Sequence, residues 1–137
     1  MTDKELINEA LKAREMAYCP YSNFAVGAAL LTQEGKVYRG CNIENASYNP
    51  TNCAERTAFF KAISEGERNF EKIAIVGGNR DKEITGFAYP CGPCRQVMRE
   101  FCSPKTFEVI VAKNENEYQK NTLEQMLPFG FGPEDLT

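Results

Sequence analysis

Apolar residues at helical spacing open the chain. Leu6, Ala10 and their neighbours recur every three to four positions, which is typical of a helix with one buried face. Thr2 precedes this pattern, and Glu5 follows Thr2 by three residues, the spacing of a capping box at a helix N-terminus. The pattern therefore predicts a first helix near the start of the chain, and Pro20 is predicted to end it.

Four segments of the chain are predicted to be strands. The longest is the apolar run from Phe24 to Thr32, and turn residues separate it from a second strand over residues 36–41. We expect these two strands to form an antiparallel hairpin. Two shorter apolar runs, residues 72–77 and 107–112, predict further buried strands later in the chain.

Helices are predicted between and after these strands. A second helix is expected from Cys53 to Gly66, because glycine is a common residue directly after a helix end. A third helix begins between Cys91 and Cys94. A second capping-box spacing predicts a short helix over residues 122–127.

The order of these elements indicates the fold class. Strand, helix, strand, helix and strand follow one another from residue 36 to residue 112, which is typical of βαβ crossovers and of a partly parallel sheet. With the leading hairpin, the sequence predicts an α/β protein with a mixed sheet and helices on both faces. Sites in such sheets form at the carboxyl ends of strands. Cys53 and the Cys91/Cys94 pair each lie at a predicted helix start after a strand, so we expect them to converge.

Length and charge narrow the class of protein. The chain has 137 residues, so we expect residues 1–137 to form a single domain. Its hydrophobic share of 42% and charged share of 26% are typical of a globular protein. The net charge of −3 and the lack of a basic run argue against binding to a nucleic-acid backbone.

The compartment follows from the N-terminal residues and the cysteines. No apolar stretch of the signal-peptide kind follows Met1, and no run approaches the roughly 18 apolar residues of a membrane span. We therefore expect a cytoplasmic protein without a membrane partner, in a compartment where thiols stay reduced. Six cysteines in that setting indicate metal ligands or buried thiols.

Three cysteines and one acid form the candidate site. Glu55 follows Cys53 by two residues, and Cys91 and Cys94 come later in a Pro-Cys-x-x-Cys spacing. A catalytic zinc site keeps three protein ligands and leaves one position for water. The chain has no histidine, which leaves Glu55 as the proton carrier beside a thiolate-bound zinc. An acid two residues after the first ligand, followed by Pro-Cys-x-x-Cys, is the signature of the zinc deaminases.

Two arginines lie next to this motif. Three thiolates give the site excess negative charge, which opposes ionisation of a zinc-bound water. Helix N-termini offset part of it, by about 0.3–1 kcal/mol each. Arg56 and Arg95, each directly after a motif residue, are predicted to donate hydrogen bonds to the sulfur atoms and to offset more.

The cysteines alone leave two other interpretations open. Cys91-Gly92-Pro93-Cys94 has the active-site tetrapeptide of thioredoxin-like redox proteins, although a redox site leaves Cys53 and Glu55 unexplained. A structural zinc site would need a fourth ligand, such as Cys41 or Cys102. Nothing in the spacing of these two cysteines makes either of them a partner of the motif.

The chain as a whole resembles the small homotetrameric cytidine deaminases. The zinc motifs are shared by many deaminases, but two further segments are more specific: Asn42-Ile43-Glu44-Asn45 and the closing Leu127-Pro128-Phe129-Gly130-Phe131-Gly132-Pro133. The resemblance covers nearly the whole chain. It implies the five-stranded, three-layer α/β fold of that family, one zinc ion per subunit and a homotetramer whose sites are shared between subunits.

The resemblance also implies roles for individual residues. Zinc is expected on Cys53, Cys91 and Cys94, with Glu55 as the proton shuttle. The substrate-binding positions of the family match Phe24, Asn42, Glu44, Ala46, Tyr48, Ala54 and Phe131. Asn42 and Glu44 are expected to hold the sugar, and Ala46, Tyr48 and Phe131 to complete sites across subunit boundaries.

The implied reaction is hydrolytic deamination of cytidine and 2′-deoxycytidine to uridine and 2′-deoxyuridine, a step of pyrimidine salvage that releases ammonia. Asn42 and Glu44 also have support from the residues themselves, since they are polar, follow a strand end and lead to the metal motif. A deaminase of the blasticidin type remains an alternative, although Glu44 favours a sugar. A polynucleotide substrate is disfavoured by the negative net charge.

Overall fold

A five-stranded sheet organises residues 1–136, the part of the chain that this computed structural model describes. In chain order the elements are α1 (Asp3–Arg14), β1 (Phe24–Thr32), β2 (Val37–Cys41), α2 (Ala54–Ser64), β3 (Phe70–Asn79), α3 (Gly92–Phe101), β4 (Glu108–Asn114), β5 (Glu117–Thr122), α4 (Leu123–Met126) and a 3₁₀ turn (Pro133–Leu136). Within residues 1–136, no helix is long and apolar enough to cross a membrane.

The strand order in the sheet is β2-β1-β3-β4-β5. β1 pairs antiparallel with β2 and with β3, β3 pairs parallel with β4, and β4 pairs antiparallel with β5. The sheet is therefore mixed, with the parallel pair that the βαβ order predicts. Both crossovers start from the same edge of the sheet, at the carboxyl ends of β2 and β3, and the helices α2 and α3 begin there with the candidate site.

The alternation of side chains along the strands builds two cores. Leu30, Ile73 and Val109 belong to one cluster, where they pack with Phe59 of α2 and Met98 of α3. The intervening residues of the same strands point to the other face, where they pack against Leu6, Ile7 and Ala10 of α1. The prediction of a mixed α/β sheet with helices on both faces is confirmed.

Gly40 sets how closely α2 lies on the sheet. A Cβ atom at this position would overlap the carbonyl oxygen of Ala54 and lie 2.5 Å from the backbone nitrogen of Ala58. The absence of a side chain therefore allows the first turn of α2 to rest directly on β2. Cys53 is the N-cap residue of that helix, so this contact also places the first predicted zinc ligand.

The end of α1 differs from the prediction. The helix ends at Arg14, six residues before Pro20. The Arg14 guanidinium turns to the sheet and donates to the carbonyl oxygens of Ala25, Gly78 and Asn79. The following residues leave the helix because Tyr18 pairs in parallel with Ile43 of the segment after β2.

The fifth strand, β5, was missed by the hydrophobic pattern. Its sequence is polar throughout, and most of its side chains are exposed or half-buried. An edge strand with one partner needs little apolar surface, so its pattern does not differ from that of a loop. Both predicted capping boxes are confirmed: Thr2 with Glu5 begins α1, and Thr122 with Gln125 begins α4.

Candidate active site

The three motif cysteines meet at the N-termini of two helices. Cys53 is the N-cap residue of α2, Cys91 is the N-cap residue of α3, and Cys94 lies in the first turn of α3. Their sulfur atoms all lie within 4.8 Å of one another, with 3.9 Å between Cys53 and Cys91 and 3.4 Å between Cys91 and Cys94. The predicted convergence of these cysteines is thus found in the structure.

The cluster fits a zinc ion with an open position. Zinc–sulfur bonds of about 2.3 Å in tetrahedral geometry place sulfur atoms about 3.8 Å apart, close to the separations seen here. Among residues 1–136, Cys53, Cys91 and Cys94 form the one group of potential ligands that could hold a metal ion. Cys41 and Cys102 are outside it, so neither is a fourth ligand, and burial raises the pKa of the Cys102 thiol.

Arg56 binds the sulfur of Cys53. Its Nη2 donates to the Cys53 Sγ across 3.1 Å. A hydrogen bond from Cys94 and the Arg56 guanidinium together lower the pKa of the Cys53 thiol to about 5, against the effect of burial. Arg56 Nε is buried and has no hydrogen-bond partner among residues 1–136. The guanidinium is therefore held at the sulfur through its Nη2 atom.

Arg95 does not take the predicted position at a sulfur atom. Its Nε donates to the carbonyl oxygen of Pro90 at 2.7 Å, and its Nη1 donates to that of Met126 at 2.6 Å. Successive residues of a helix are rotated by about 100°, so the Arg95 side chain points away from the side of the helix on which the Cys94 sulfur lies. It supports the backbone next to Cys91 instead.

Glu55 is the buried acid of the site. It lies in the first turn of α2, and 5% of its surface is exposed. Burial raises the pKa of its carboxyl group to about 7, because the charged form loses hydration there. A carboxyl group with this pKa can both accept and donate a proton near neutral pH.

A pocket of about 300 Å³ opens in front of these groups. Three of the predicted substrate-binding residues, Phe24, Asn42 and Ala54, line it together with Glu55 and two of the cysteines. The sequence analysis missed the remaining lining residues, which are Val26, Thr51, Asn52, Ala88 and Tyr89. Their place in the sequence is the only signal that could have indicated them. Thr51 and Asn52 come just before Cys53, Ala88 and Tyr89 come just before Cys91, and Val26 lies on the strand of Phe24.

Asn42, which lines the pocket, and Glu44, which does not, both bind backbone groups through their side chains. The Asn42 side chain accepts from Val26 N at 2.9 Å and donates to Phe24 O at 2.7 Å, which extends the pairing of β1 past the end of β2. The Glu44 carboxylate accepts from the hydroxyl of Ser22 and from the backbone nitrogens of Tyr21 and Ser22. The hydroxyl and then these amides lower the pKa of Glu44, against a smaller effect of burial.

Besides Glu44, three of the predicted residues lie outside the pocket of the single chain. Ala46 and Tyr48 belong to the irregular segment after β2, and Phe131 belongs to the segment before the closing 3₁₀ turn. All three are exposed, with 74% of Tyr48 and 55% of Phe131 accessible. Their side chains are therefore available to another molecule.

The family model for the cytidine and deoxycytidylate deaminase zinc-binding region matches residues 1–112. This chain belongs to that family. The match confirms the resemblance that the motifs indicated. It includes the cysteine cluster, so a zinc ion is the cofactor that the site is built to hold.

Individual cytidine deaminases are similar to this chain over nearly their full length. The cytidine deaminase of Halalkalibacterium halodurans is 50% identical over 136 residues, 99% of this chain and 98% of that protein. That of Sporosarcina psychrophila is 48% identical over 137 residues, covering 100% and 96%. The crystal structure of cytidine deaminase from Burkholderia pseudomallei is 50% identical with a TM-score of 0.86, over 96% of this chain and all of that one.

Proposed function

We propose that this chain catalyses the zinc-dependent hydrolysis of cytidine and 2′-deoxycytidine to uridine and 2′-deoxyuridine, with release of ammonia. The observation that carries the proposal is a buried carboxyl group, Glu55, in one pocket with a cluster of three thiols. Zinc bound by Cys53, Cys91 and Cys94 would supply an activated water for attack on C4 of the base. Family membership supports the same reaction.

Glu55 carries the protons in this proposal. Its carboxylate accepts a proton from the attacking water and delivers it to the ring nitrogen next to C4. It then takes the proton of the new hydroxyl group and delivers it to the departing amine, so that one water is consumed and one ammonia released. The pKa of about 7 suits both transfers, and burial keeps bulk water from competing.

Asn42 and Glu44 retain hydrogen-bonding capacity for a sugar. Asn42 Nδ2 uses one of its two hydrogens on Phe24 O, and the other has no partner among residues 1–136. Glu44 accepts three hydrogen bonds, while a carboxylate has about four lone-pair sites. A site that hydrogen-bonds a hydroxyl rejects ligands without it, so free cytosine is expected to be a poor substrate. Phe24 and Ala54 would form apolar walls against the base.

The assay of purified protein with cytidine tests the reaction, and Glu55→Gln tests the proton carrier. We expect loss of cytidine absorbance with the wild type, and loss of at least about 100-fold in kcat with Glu55→Gln at unchanged zinc content. Glu65→Gln, at the exposed C-terminal end of the same helix, is the matched control and should retain activity. Full activity of Glu55→Gln would remove this residue from the mechanism.

The proposed active form is a homotetramer with shared sites. Support comes from Ala46, Tyr48 and Phe131, which match family positions that build neighbouring sites and are exposed in the single chain. Light scattering should give four times the mass of the chain. Mixing subunits of Glu55→Gln with subunits of Phe131→Ala should restore activity, because some sites then combine intact Glu55 with intact Phe131. No recovery on mixing would contradict shared sites.

The proposal also covers the setting of the enzyme. One sheet joins all the long elements, which supports a single domain over residues 1–137. All six cysteines carry free thiols, which supports a cytoplasmic, reducing compartment. Hydrolytic deamination of pyrimidine nucleosides in such a compartment is a reaction of pyrimidine salvage.

A further inference from the structure

Among residues 1–136, the later part of the segment between β3 and α3 lacks backbone pairing. The segment leads from Asn79 to the zinc ligand Cys91, and its last part, Ala88 and Tyr89, lines the pocket. Within the described residues 1–136, no backbone–backbone hydrogen bond involves residues 83–90. Backbone pairing therefore does not determine where this wall of the pocket stands.

Two contacts made through side chains hold the end of the segment. The Tyr89 hydroxyl donates to Oε1 of Gln119, and the carbonyl oxygen of Pro90 accepts from Arg95. The Arg95 contact comes from α3 and fixes the Cys91 side. The Tyr89 contact is the one that reaches a different part of the fold, because Gln119 lies on the edge strand β5.

β5 provides a rigid support at that point. Gln119 is in register with Val111, a fully buried residue in the middle of β4, and β4 is paired with β3 on its other side. The Tyr89 ring also packs against Phe87, with 6.2 Å between ring centroids, and the Lys113 ammonium of β4 lies 4.8 Å from the centre of the Phe87 ring. The pocket wall is therefore attached to the β4–β5 ribbon.

We propose that Tyr89 is a positioning residue, whose hydrogen bond to Gln119 holds the pocket wall and the Cys91 ligand in place. Only the buried Pro90 separates Tyr89 from Cys91, and the fixed φ of proline transmits a displacement of one to the other. Reacting groups tolerate only small misplacement before the rate falls. The inference rests on the proposed deaminase function for its kinetic consequence, but not for its structural one.

The test compares Tyr89→Phe, Gln119→Leu, their double variant and Gln119→Glu. Each of the first two removes the same hydrogen bond, so each should lower kcat/KM for cytidine and raise the rate of zinc release to a chelator, both about fivefold. The double variant should lose no more than either single variant. Gln119→Glu keeps an acceptor for the tyrosine hydroxyl and should stay within twofold of the wild type.

Tyr38→Phe is the matched control. Tyr38 lies on β2, away from the pocket, and its hydroxyl donates to Glu67 at 2.7 Å. The substitution removes this hydrogen bond. We expect Tyr38→Phe to lose about as much thermal stability as Tyr89→Phe. Its kcat/KM and its rate of zinc release should be those of the wild type. A change in kcat/KM or zinc release for Tyr38→Phe as large as that for Tyr89→Phe would mean that a general loss of stability explains both and would overturn the proposal.

Two further results would overturn the proposal. One is wild-type zinc release and kinetics in either single variant, and the other is losses that multiply in the double variant. If the wild-type protein binds zinc but does not turn over cytidine, the proposed function fails, and the zinc-release rates alone then decide whether the hydrogen bond positions the ligand.

Discussion

Arg56 and Cys53 form a hydrogen bond of 3.1 Å at the start of α2, between a guanidinium nitrogen and a predicted zinc ligand. The two residues are three positions apart, so the helical turn itself brings the cation to the sulfur. This contact places a positive charge where three thiolates and a bound water would otherwise accumulate negative charge. With zinc bound, this charge would favour ionisation of the water even though the site has no histidine.

Arg56→Gln should weaken both zinc binding and catalysis. Glutamine removes the charge that helps to keep Cys53 ionised, so this thiol would give up its proton to zinc less readily. With less charge offset, a zinc-bound water would also ionise less readily. We expect a loss of about 10- to 100-fold in zinc affinity or in kcat/KM, measured by chelator competition and by the cytidine assay. Arg39 is an exposed arginine of β2 that pairs with Glu9 of α1. Arg39→Gln should leave both values unchanged.

The pKa of Cys53 predicts a distinct labelling profile in zinc-free protein. Hydrogen bonds from Cys94 and Arg56 lower the pKa of this thiol to about 5, so the thiolate persists as the pH falls until that value is reached. Alkylation of Cys53 by iodoacetamide, followed by mass spectrometry, should be nearly constant from about pH 8 to pH 6 and decline near pH 5. A steep decline between pH 8 and pH 6, about tenfold per pH unit as for an ordinary thiol, would contradict the lowered pKa. Cys102 should label only after unfolding, since burial raises its pKa.

Gly40→Ala should destabilise the fold and the site together. The new methyl group would meet the backbone of α2 at Ala54 and Ala58, and backbone atoms yield less readily than side-chain ends. We expect the free energy of unfolding in urea to fall by about 3 kcal/mol, with weaker zinc binding because α2 carries Cys53. Gly86→Ala is the control, since nothing lies within 4 Å of its Cβ position, and it should behave as the wild type.

Asp3→Asn should reveal a buried ion pair. The Lys72 ammonium is 2.7 Å from Asp3, and only 10% of the Lys72 side chain is exposed. Partial burial raises the pKa of Asp3, but hydrogen bonds and charge attraction from Lys72 and Lys120 outweigh it and lower the pKa overall. We expect Asp3→Asn to reduce the free energy of unfolding at pH 7 by about 2 kcal/mol, because Lys72 then keeps only its 4.0 Å contact with the more exposed Glu71.

This ion pair also gives a pH dependence. A carboxyl group with a lowered pKa in the folded state stabilises the protein above its unfolded pKa, and that contribution is lost as the pH falls through the folded value. The difference between wild type and Asp3→Asn should therefore narrow as urea unfolding is repeated toward acid pH. Glu108→Gln, at a more exposed pair with Lys120, should cost about 1 kcal/mol or less. A constant difference across pH would contradict the assignment.

The success of the sequence predictions followed the strength of the local signals. The strand Phe24–Thr32 was predicted with its observed ends, because it is a long apolar run between turn residues. Both capping boxes were found, because their spacing is itself the physical contact. β5 was missed, because an exposed edge strand has no apolar periodicity to detect.

The same distinction holds for the site. Cys53, Glu55, Cys91 and Cys94 could be grouped from spacing, because a metal needs several ligands of one type. Arg56 donates to a sulfur atom whereas Arg95 donates to a carbonyl oxygen, a difference that sequence spacing does not show because the direction of a side chain on a helix depends on its neighbours. Tyr89 was missed entirely, since its partner Gln119 lies 30 residues away in a strand that the pattern did not show.

The division of the zinc ligands between the starts of α2 and α3 has a consequence during synthesis on the ribosome. When Cys53 leaves the exit tunnel, Cys91 and Cys94 are still to emerge, and β3, which lies between them in the chain, must pair in the sheet before the sulfur atoms can meet. A nascent chain therefore holds at most one of the three ligands while its first half emerges. Metal loading becomes a late event, and zinc affinity measured on the finished protein includes the free energy of assembling both halves.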